Sequence, residues 1–553
     1  MADTPSAPGS DGSRRSRIAG VFQLAQAAVR YVYEKMHQGF SSDNVSTERP
    51  PCNGTLKAED GLSDTTTTFS SLAIGDLPLP TRVSKAGPPA DPVARREGKI
   101  KWVHGFSYTQ EPKWLCEPDT SIIKEIVAPQ LELHGFGSKD ISIKFFAGGG
   151  FNKLYAITSS IAESDERTEC IFRVAMPIDP WYKTESEVAT MEYVRLYTSI
   201  PVPKIYAYDP SSDNKLGFEW ILMEKMAGKP LDDYWDIYGY EFDRFDMNTK
   251  LQIARSVAEW VHELSKLVFD KIGSLYIDWD NPERCFKLGR LVHGEFICGE
   301  RLGYRVYRGP FRDTEQFYRS VIDIQLQNVL DPIQRTQFNA RMIRVAELEQ
   351  AEAEREEVEK ESNSASSCST DASDLKLDWY VEEDFTNVPR DCYALLSVLP
   401  LILPQDSSAQ EPMTLYHFDM SQRNVLLDDC GNLVGLVDWE MIGTRPYDQL
   451  PVLPPFMDNG GHDITTLSDW TSGEKDRTRA RLEQEHAQTL MSREFRKYLE
   501  EKESPWLRTF ATPPPVATQL KERVHQVPRR DSKITDWVKR IERGEEWNWW
   551  DDE

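Results

Sequence analysis

At 553 residues the chain is long enough for two or more packed units, and with 39% hydrophobic and 11% aromatic residues it can fill a sizeable core. Its net charge of −25 and its pI near 4.9 argue against nucleic acid and anionic membrane surfaces as partners, because phosphate groups require basic faces. The eight cysteines show no C-x-x-C spacing, which argues against zinc sites and disulfide frameworks and favours a reducing compartment.

Residues 1–98 are rich in Ser, Thr, Pro, Gly and Asp, and segments such as TTTTFSS and PLPTRVSKAGPPADP bury too little apolar surface to fold. We therefore predict a disordered N-terminal tail. Within it, the apolar side chains of residues 18–36 have helical spacing. This helix either docks on a partner or a membrane surface, or forms transiently without a role. No apolar run reaches about eighteen residues, so no transmembrane segment is predicted. We expect a cytoplasmic protein, and a mitochondrial location stays open because residues 14–30 are basic and partly amphipathic.

The folded part is predicted to begin with a short helix and a glycine-rich hairpin. Gly148, Gly149 and Gly150 separate two strand-like runs, and a loop of this kind lets backbone N–H groups cradle phosphate oxygens. By itself such a hairpin is more often only a tight turn. The surrounding elements are predicted as a helix at 121–133, a strand at 170–177, a helix at 183–199, and strands at 204–208 and 218–223.

The second half of the chain is predicted to be mostly helical. Residues 341–384 carry fourteen acids against five bases, which predicts a solvated helix running into a disordered acidic insertion at 345–378, or alternatively a regulatory phosphorylation loop. The terminal Trp547, Trp549 and Trp550 indicate a capping segment or, alternatively, a partner-binding peptide. The predicted helices are 248–268, one beginning after Pro310, a buried one at 391–403, and the charged stretch 466–553.

The most informative stretch, residues 414–440, reads TLYHFDMSQRNVLLDDCGNLVGLVDWE. Three apolar runs are separated by a polar loop and by a turn at Gly431. Asp419 and Asn424 lie on one loop, and Asp438 ends the next strand, where it can face them. Phosphoryl transfer from Mg-ATP needs this set, a carboxylate for the acceptor's proton together with an Asn and an Asp on the metal.

This pattern resembles the aminoglycoside phosphotransferase family, especially its fungal-type members, within the protein-kinase-like superfamily. The resemblance spans about residues 140–460, with His417, Asp419 and Asn424 in a His-x-Asp-x-x-x-x-Asn loop followed by Val-Asp-Trp-Glu. It implies an α+β, two-lobed protein-kinase-like fold, with a small antiparallel-sheet N-lobe containing one helix and a larger, mostly helical C-lobe. The implied domains are the tail (1–98), the N-lobe (99–223), the C-lobe (224–465) and a helical C-terminal extension (466–553).

The resemblance also implies residue roles. Asp419 would be the catalytic base, braced by His417, and Asn424 and Asp438 would hold Mg²⁺. The family's phosphate-binding Lys is replaced here by Arg173, which Glu187 would pair with, while Glu192 is expected to be a surface charge. The implied nucleotide site, for ATP, consists of Gly148, Gly149, Gly150, Asn152, Arg173, Glu187 and the hinge residues Glu224 and Met226.

Three functions are compatible with the sequence. The first is an ATP- and Mg²⁺-dependent phosphotransferase that acts on a hydroxyl of a small molecule. The second is a catalytically weak or inactive kinase-like scaffold, which Arg173 favours and the intact Asp419, Asn424 and Asp438 oppose. The third is a metal-dependent hydrolase, which leaves the glycine loop unexplained. Acids that could hold a cationic or polyhydroxyl acceptor are Asp278, Asp280, Glu295, Glu300 and Asp448.

Overall fold

The computed structural model describes residues 79–104, 110–160, 167–237, 242–280, 286–330, 388–403, 412–460, 464, 476–510, 519–520, 523–524, 527 and 533–544. The acidic insertion, the predicted helix at 18–36 and the three terminal tryptophans lie outside these residues. The described part mixes helices with a multi-stranded sheet, which confirms the α+β class.

The helices within the described ranges are α1 (Thr120–Leu133), α2 (Tyr182–Tyr197), α3 (Met247–Ser265), α4 (Thr314–Leu330), α5 (Val388–Ile402), α6 (Asp476–Glu501) and α7 (Ile534–Glu542). The strands are β1 (Thr81–Arg82), β2 (Ile100–His104), β3 (Gln110–Trp114), β4 (Lys139–Gly148), β5 (Asn152–Ser160), β6 (Arg167–Ala175), β7 (Ile205–Asp209), β8 (Glu219–Glu224), β9 (Lys229–Pro230), β10 (Val268–Phe269), β11 (Ser274–Ile277), β12 (Phe286–Gly289), β13 (Met413–Leu415), β14 (Val425–Leu427), β15 (Leu433–Leu436) and β16 (Thr444–Pro446). The predicted glycine hairpin is confirmed as β4 and β5.

Six strands form the largest sheet, in the order β1-β7-β8-β6-β5-β4. All neighbours are antiparallel except β1 and β7, which run parallel. Because side chains alternate along a strand, Phe172 of β6 faces a hydrophobic core that α1 covers with Ile123 and Val127. The next residue, Arg173, points to the opposite face of the sheet, where it contacts α2.

The described structure begins earlier than the sequence predicted. Residues 79–98 belong to the predicted disordered tail, yet β1 pairs with β7 there, and Arg82 forms an ion pair with Glu185 of α2. Arg96 is buried and donates hydrogen bonds to the carbonyl oxygens of Ile178 and Ile297. Strand pairing and arginine contacts hold this Pro- and Gly-rich segment, so its low content of apolar residues was misleading.

The described part also contains two three-stranded sheets and the two-stranded hairpins β2-β3 and β11-β12. In the sheet with the order β15-β14-β9, strand β9, which follows β8, pairs with β14 of the stretch 414–440. In the sheet with the order β10-β13-β16, strand β13 at the start of that stretch pairs with β10 and β16. Helix α3 begins at an Asp246 cap, whose carboxylate accepts the N–H of Thr249 at 2.8 Å. Arg255 of α3 forms ion pairs with Glu494 and Glu501 of α6.

Backbone packing divides the chain into two units. The first consists of residues up to 310 and of 412–510, and it contains the large sheet, α3, α6 and the stretch 414–440. The second consists of residues 311–411 and 511–553, and it contains α4, α5 and α7. The lobe boundaries proposed from the sequence stay a prediction.

Candidate functional site

The stretch 414–440 folds as the sequence predicted, with strand β13, a loop, strand β14, a turn and strand β15. The N–H of Val437 donates to the backbone oxygen of Asn424 at 3.0 Å, which brings the end of β15 beside the start of β14. The Asn424 side chain donates from Nδ2 to the backbone oxygen and to Oδ2 of Asp419, each at 2.8 Å. Asp419 and Asn424 are therefore in direct contact, and Asp438 follows immediately after Val437.

His417 lies behind this loop and is fully buried. Its Nε2 is 3.0 Å from the carbonyl oxygen of Val437, so that nitrogen must carry the proton, and its ring meets Trp439 edge to face at 4.7 Å. Burial lowers the pKa of His417 to about 4, so the ring is neutral at pH 7. A neutral, enclosed imidazole tethers the backbone next to Asp438, and its bracing role in catalysis stays a prediction.

Asp438 has a left-handed backbone, with φ of +69°. This conformation is uncommon outside glycine, although Asp and Asn tolerate it best, and such strain is often found at functional sites. The Asp438 side chain is one third exposed, and its Oδ1 lies 2.9 Å from Nη2 of Arg173. The left-handed turn thus presents a partly open carboxylate directly beside the buried guanidinium.

Arg173 connects the large sheet to this carboxylate. Its Nη1 lies 3.1 Å from Oε1 of Glu187, and both side chains are at least 95% buried. The pairing expected from the resemblance is therefore present in the geometry. Glu192, expected to be a surface charge, is instead 1% exposed and pairs with Arg195 on the same helix. This expectation was wrong because α2 is buried along almost its whole length.

Sequence reasoning missed two charged members of the site, Lys183 and Glu440. Oε2 of Glu440 lies 2.6 Å from Nζ of Lys183 and 3.1 Å from Nη2 of Arg173. Lys183 is 1% exposed and occupies the position four residues before Glu187, on the same face of α2. That spacing, and the acid two residues after Asp438, were the signals available in the sequence.

Arg173, Lys183, Glu187, Asp438 and Glu440 form what we call the charge cluster, with two basic and three acidic side chains. Burial opposes ionisation of Glu440, but Lys183 and Arg173 outweigh it and hold the pKa of Glu440 low, at about 2. Burial and then the neighbouring Glu440 raise the pKa of Asp438 above its ordinary value, although Arg173 acts in the opposite direction. Burial also raises the pKa of Glu187, to about 7. Glu440 therefore takes the larger share of the two cations.

The glycine loop approaches the cluster through Asn152. The N–H of Gly149 donates to the backbone oxygen of Asn152 at 3.0 Å, and a Cβ built on Gly149 would meet no atom within 4 Å. Gly148 and Gly149 are exposed, and Gly150 is half-buried. These positions leave room above the loop for a ligand.

The Asn152 side chain, in contrast, points into the charge cluster. Its Oδ1 accepts from Lys183 at 2.9 Å, and its Nδ2 donates to Glu440 at 2.9 Å. The side chain is almost completely buried, so both ends of the amide are engaged. A direct contact between Asn152 and a nucleotide stays a prediction.

The proposed hinge follows β8 directly. The N–H of Glu224 is already bonded to the Lys204 carbonyl oxygen, at 2.8 Å. A Cβ on Gly435 of β15 would lie 2.8 Å from Cε of Met226, so the Met226 side chain lies over that strand. Met226 of the proposed hinge thus contacts the β14–β15 hairpin.

The donor set around Asp438 fits a hard divalent cation. The Asp438 carboxylate is partly open, and because Nδ2 of Asn424 is used by Asp419, the amide oxygen is the atom left to bind a metal. Within the described residues no group of three or more His, Cys, Asp or Glu side chains could hold a metal ion. A cation here would therefore need most of its oxygen ligands from phosphates and water, as Mg²⁺ usually does.

Two of the five acids suggested for the acceptor have cationic partners. Asp278 lies 2.9 Å from Lys287, and Glu295 lies 3.4 Å from Arg301. Asp280 and Glu300 are exposed, and the side chain of Asp448 lies outside the described residues. No helix in the described ranges has the length and apolarity needed to cross a membrane.

No protein-family model matches this sequence. A subtelomeric hrmA-associated cluster protein of Aspergillus fumigatus is 32% identical over 179 residues, which cover 30% of this chain and 32% of that protein. The mitochondrial protein named altered inheritance of mitochondria protein 9 is 26% identical over 307 residues in Lachancea thermotolerans, covering 54% of this chain and 47% of the relative. The chain thus spans less than half the length of these curated relatives.

Solved structures with similarity include a thermostable mutant of aminoglycoside phosphotransferase APH(4)-Ia, at 15% identity and a TM-score of 0.30, over 75% of this chain and 97% of that one. A macrolide 2'-phosphotransferase from Brachybacterium faecium has 11% identity and a TM-score of 0.27, over 73% and 98%. A choline kinase from Cryptosporidium parvum has 13% identity and a TM-score of 0.26, over 77% and 97%. These TM-scores are too low to establish a common fold.

Proposed function

We propose that this protein is an ATP- and Mg²⁺-dependent phosphotransferase with a two-lobed protein-kinase-like fold. The observation that carries the proposal is the convergence of two separate parts of the chain. The Arg173–Glu187 pair of the sheet and α2 meets Asp438, which lies beside the Asp419–Asn424 loop. A basic residue paired with the proposed metal-binding carboxylate, next to a loop that carries the proposed base, is the arrangement that phosphoryl transfer requires.

In the proposed reaction, the acceptor oxygen forms a bond to the γ-phosphorus while the bond from that phosphorus to ADP breaks. Asp419 accepts the proton of the acceptor hydroxyl or orients it. Arg173 pairs with Asp438 from β6, the strand next to β5, and β5 follows the glycine loop, whose backbone N–H groups would face the phosphates. Asp438 and Asn424 would hold Mg²⁺, which would supply positive charge next to the phosphates.

A small molecule is the proposed acceptor. Only residues 439–443 separate Asp438 from β16, whose Thr444 pairs with Leu415 of β13. The chain therefore returns to a buried strand at once and has no long segment there to form a platform for a peptide. Incubation with labelled ATP and either a metabolite extract or a protein extract tests this, and label found only in proteins would contradict it.

The second candidate, a kinase-like binding or scaffold protein, is favoured by the surroundings of Arg173. Its guanidinium is enclosed by Glu187, Asp438 and Glu440, and only 5% of its side chain is exposed. An arginine engaged by three carboxylates has little capacity left for phosphate. A chain that binds Mg-ATP without turnover on any extract would support this candidate.

Thermal denaturation with ATP, GTP and Mg²⁺ tests the nucleotide site directly. A ligand that binds only the folded state stabilises it by about 2.7 kcal/mol at a concentration one hundred times its Kd. We expect Mg-ATP to raise the Tm of the wild type and of the control Asp536→Ala, because Asp536 is an exposed aspartate of α7. We expect Asp438→Ala to lose the part of this rise in Tm that depends on Mg²⁺. Equal shifts in all three proteins would refute the role of Asp438.

The compartment is also a proposal. The names of the yeast relatives place those proteins in mitochondria. For this chain we propose the cytoplasm or the mitochondrion, and fractionation of cells that express a C-terminally tagged chain distinguishes the two.

A further inference from the structure

A single carboxylate oxygen, Oε2 of Glu440, collects three donors from separate parts of the chain. They are Nζ of Lys183 at 2.6 Å, Nδ2 of Asn152 at 2.9 Å and Nη2 of Arg173 at 3.1 Å. The Glu440 side chain is only 5% exposed. Solvent therefore plays little part in balancing these charges, and Glu440 must do so.

Glu440 and Asp438 compete for the same cations. The Nη2 atom of Arg173 is shared between them, at 2.9 Å from Asp438 and 3.1 Å from Glu440. The buried ammonium of Lys183 is bound by Glu440 and Asn152. An ammonium in such a position needs a counterion, because an unpaired buried charge is very unfavourable. Without Glu440, the acids of the charge cluster left near Lys183 are Asp438 and Glu187, and Asp438 would also take all of Nη2.

We infer that Glu440 is a positioning residue that draws Lys183 and part of Arg173 away from Asp438, and so keeps Asp438 available to a divalent cation. This inference rests on the proposed function, because it assigns Asp438 to Mg²⁺. Glu440 acts through Asp438 and does not itself contact the metal. Groups behind the ligands of a metal commonly change its affinity by about 10- to 100-fold when they are removed.

The test measures the factor by which Mg²⁺ strengthens ATP binding, by calorimetric titration of ATP in excess Mg²⁺ and in excess chelator. For Glu440→Gln we expect this factor to fall about 10- to 100-fold. The affinity in chelator should be kept or increased, because the variant has less negative charge near the phosphates. Damage to the fold would lower both affinities together.

Two further variants separate charge competition from packing. The double variant Lys183→Met with Glu440→Gln removes the competing ammonium as well, so we expect it to recover most of the Mg²⁺ effect. Glu192→Gln is the matched control, because Glu192 is an equally buried glutamate of α2 paired with Arg195 outside the cluster. It should leave the Mg²⁺ effect unchanged.

Each outcome either supports or overturns the positioning role of Glu440. A full Mg²⁺ effect in Glu440→Gln, or a double variant that is no better than the single one, would overturn the inference and leave the proposed function standing. If Glu440→Gln does not fold, the double variant, which has no unpaired buried ammonium, is compared with the wild type, and loss of its Mg²⁺ effect overturns the inference. A wild type that binds no ATP under either condition overturns the proposed function and the inference with it.

Discussion

At the scale of single residues, Asp419 is the side chain on which turnover should depend most. Its Oδ2 accepts a hydrogen bond from Asn424, and the residue is partly exposed, so one face of the carboxylate is fixed while the loop remains accessible. Asp419→Asn removes the ability to accept a proton and nearly preserves the shape. We expect turnover of a verified acceptor to fall by about 10²- to 10⁴-fold.

The same variant should still bind Mg-ATP with a similar thermal shift, because Asp419 is not among the proposed ligands. That shift is the control for folding. Turnover at the level of the wild type would show that the base lies elsewhere.

His417 offers a prediction about pH. Its pKa is about 4 in the folded protein against 6.5 for a free side chain, so below pH 6.5 the unfolded chain takes up the proton first. This histidine therefore lowers the stability progressively as the pH falls from 6.5 to 4. His417→Phe keeps the ring against Trp439 but loses the bond to Val437, which should cost about 1 kcal/mol at pH 7.

The measurement is urea unfolding at pH 7, 6 and 5. The free energy of unfolding should fall less steeply with decreasing pH in His417→Phe than in the wild type. Parallel curves for the two proteins would show that folding does not lower the pKa of His417.

At the scale of elements, hydrophobic periodicity was sufficient to predict the helices of the described part and strands β4 to β8 and β13 to β15, but not β1 to β3, β9 to β12 or β16. The predicted helix 183–199 corresponds to α2 (Tyr182–Tyr197), and the predicted helix 391–403 corresponds to α5 (Val388–Ile402). The two-residue strand β1 was missed because its pairing with β7 depends on residues far away in the sequence. Short strands carry too little local pattern to be recognised.

The site was predicted in part, and for a related reason. The sequence itself shows the spacing of His417, Asp419 and Asn424 within one polar loop. It shows no such spacing for Lys183 and Glu440. A lysine in a helix usually faces solvent, and only the folded chain shows that the partner of Lys183 is an acid of another element. Asn152 illustrates the same limit, because its position after the glycine loop does not reveal that its side chain turns inward.

Gly149 of the glycine loop and Gly228, two residues after the proposed hinge residue Met226, should respond differently to substitution by alanine. Gly228 has φ of +86°, and its Cβ would lie 2.5 Å from the carbonyl oxygen of Leu427 and from Cγ2 of Val434. Gly228→Ala should therefore destabilise the protein by at least about 1–3 kcal/mol. Gly149→Ala meets no atom within 4 Å and should leave the stability within about 0.5 kcal/mol.

Chemical denaturation and ATP titration of both variants check this contrast. If the loop approaches phosphate closely, Gly149→Ala should weaken ATP binding although the fold is intact. Unchanged ATP affinity in Gly149→Ala would remove the glycine loop from the proposed site.

At the scale of the whole molecule, every residue proposed for the site belongs to the first unit. The second unit has its own apolar packing, in which Trp537 of α7 is 2% exposed and donates from its indole N–H to Gln519. Trp537→Ala should destabilise this unit by about 3–5 kcal/mol. The Mg²⁺-dependent strengthening of ATP binding should remain, since no charge of the site is altered.

Calorimetric unfolding and ATP titration of Trp537→Ala measure the two effects separately. A variant that unfolds at a lower temperature but keeps the Mg²⁺ effect is the expected result. Loss of ATP binding at a temperature where the variant is folded would show that the site requires the second unit.

The contact between Arg173 and Asp438 joins residues 265 positions apart, and that between Asn152 and Glu440 spans 288. During synthesis at about 5–20 residues per second, the sheet and α2 would wait about 10–50 s for their acidic partners. Over that interval, Glu187 is the one acid of the charge cluster that has been synthesised and can balance the positive charges of Arg173 and Lys183. A ribosome-bound chain that ends before residue 438 should therefore carry the glycine loop and bind no Mg-ATP, and competence should appear once residue 440 has left the exit tunnel.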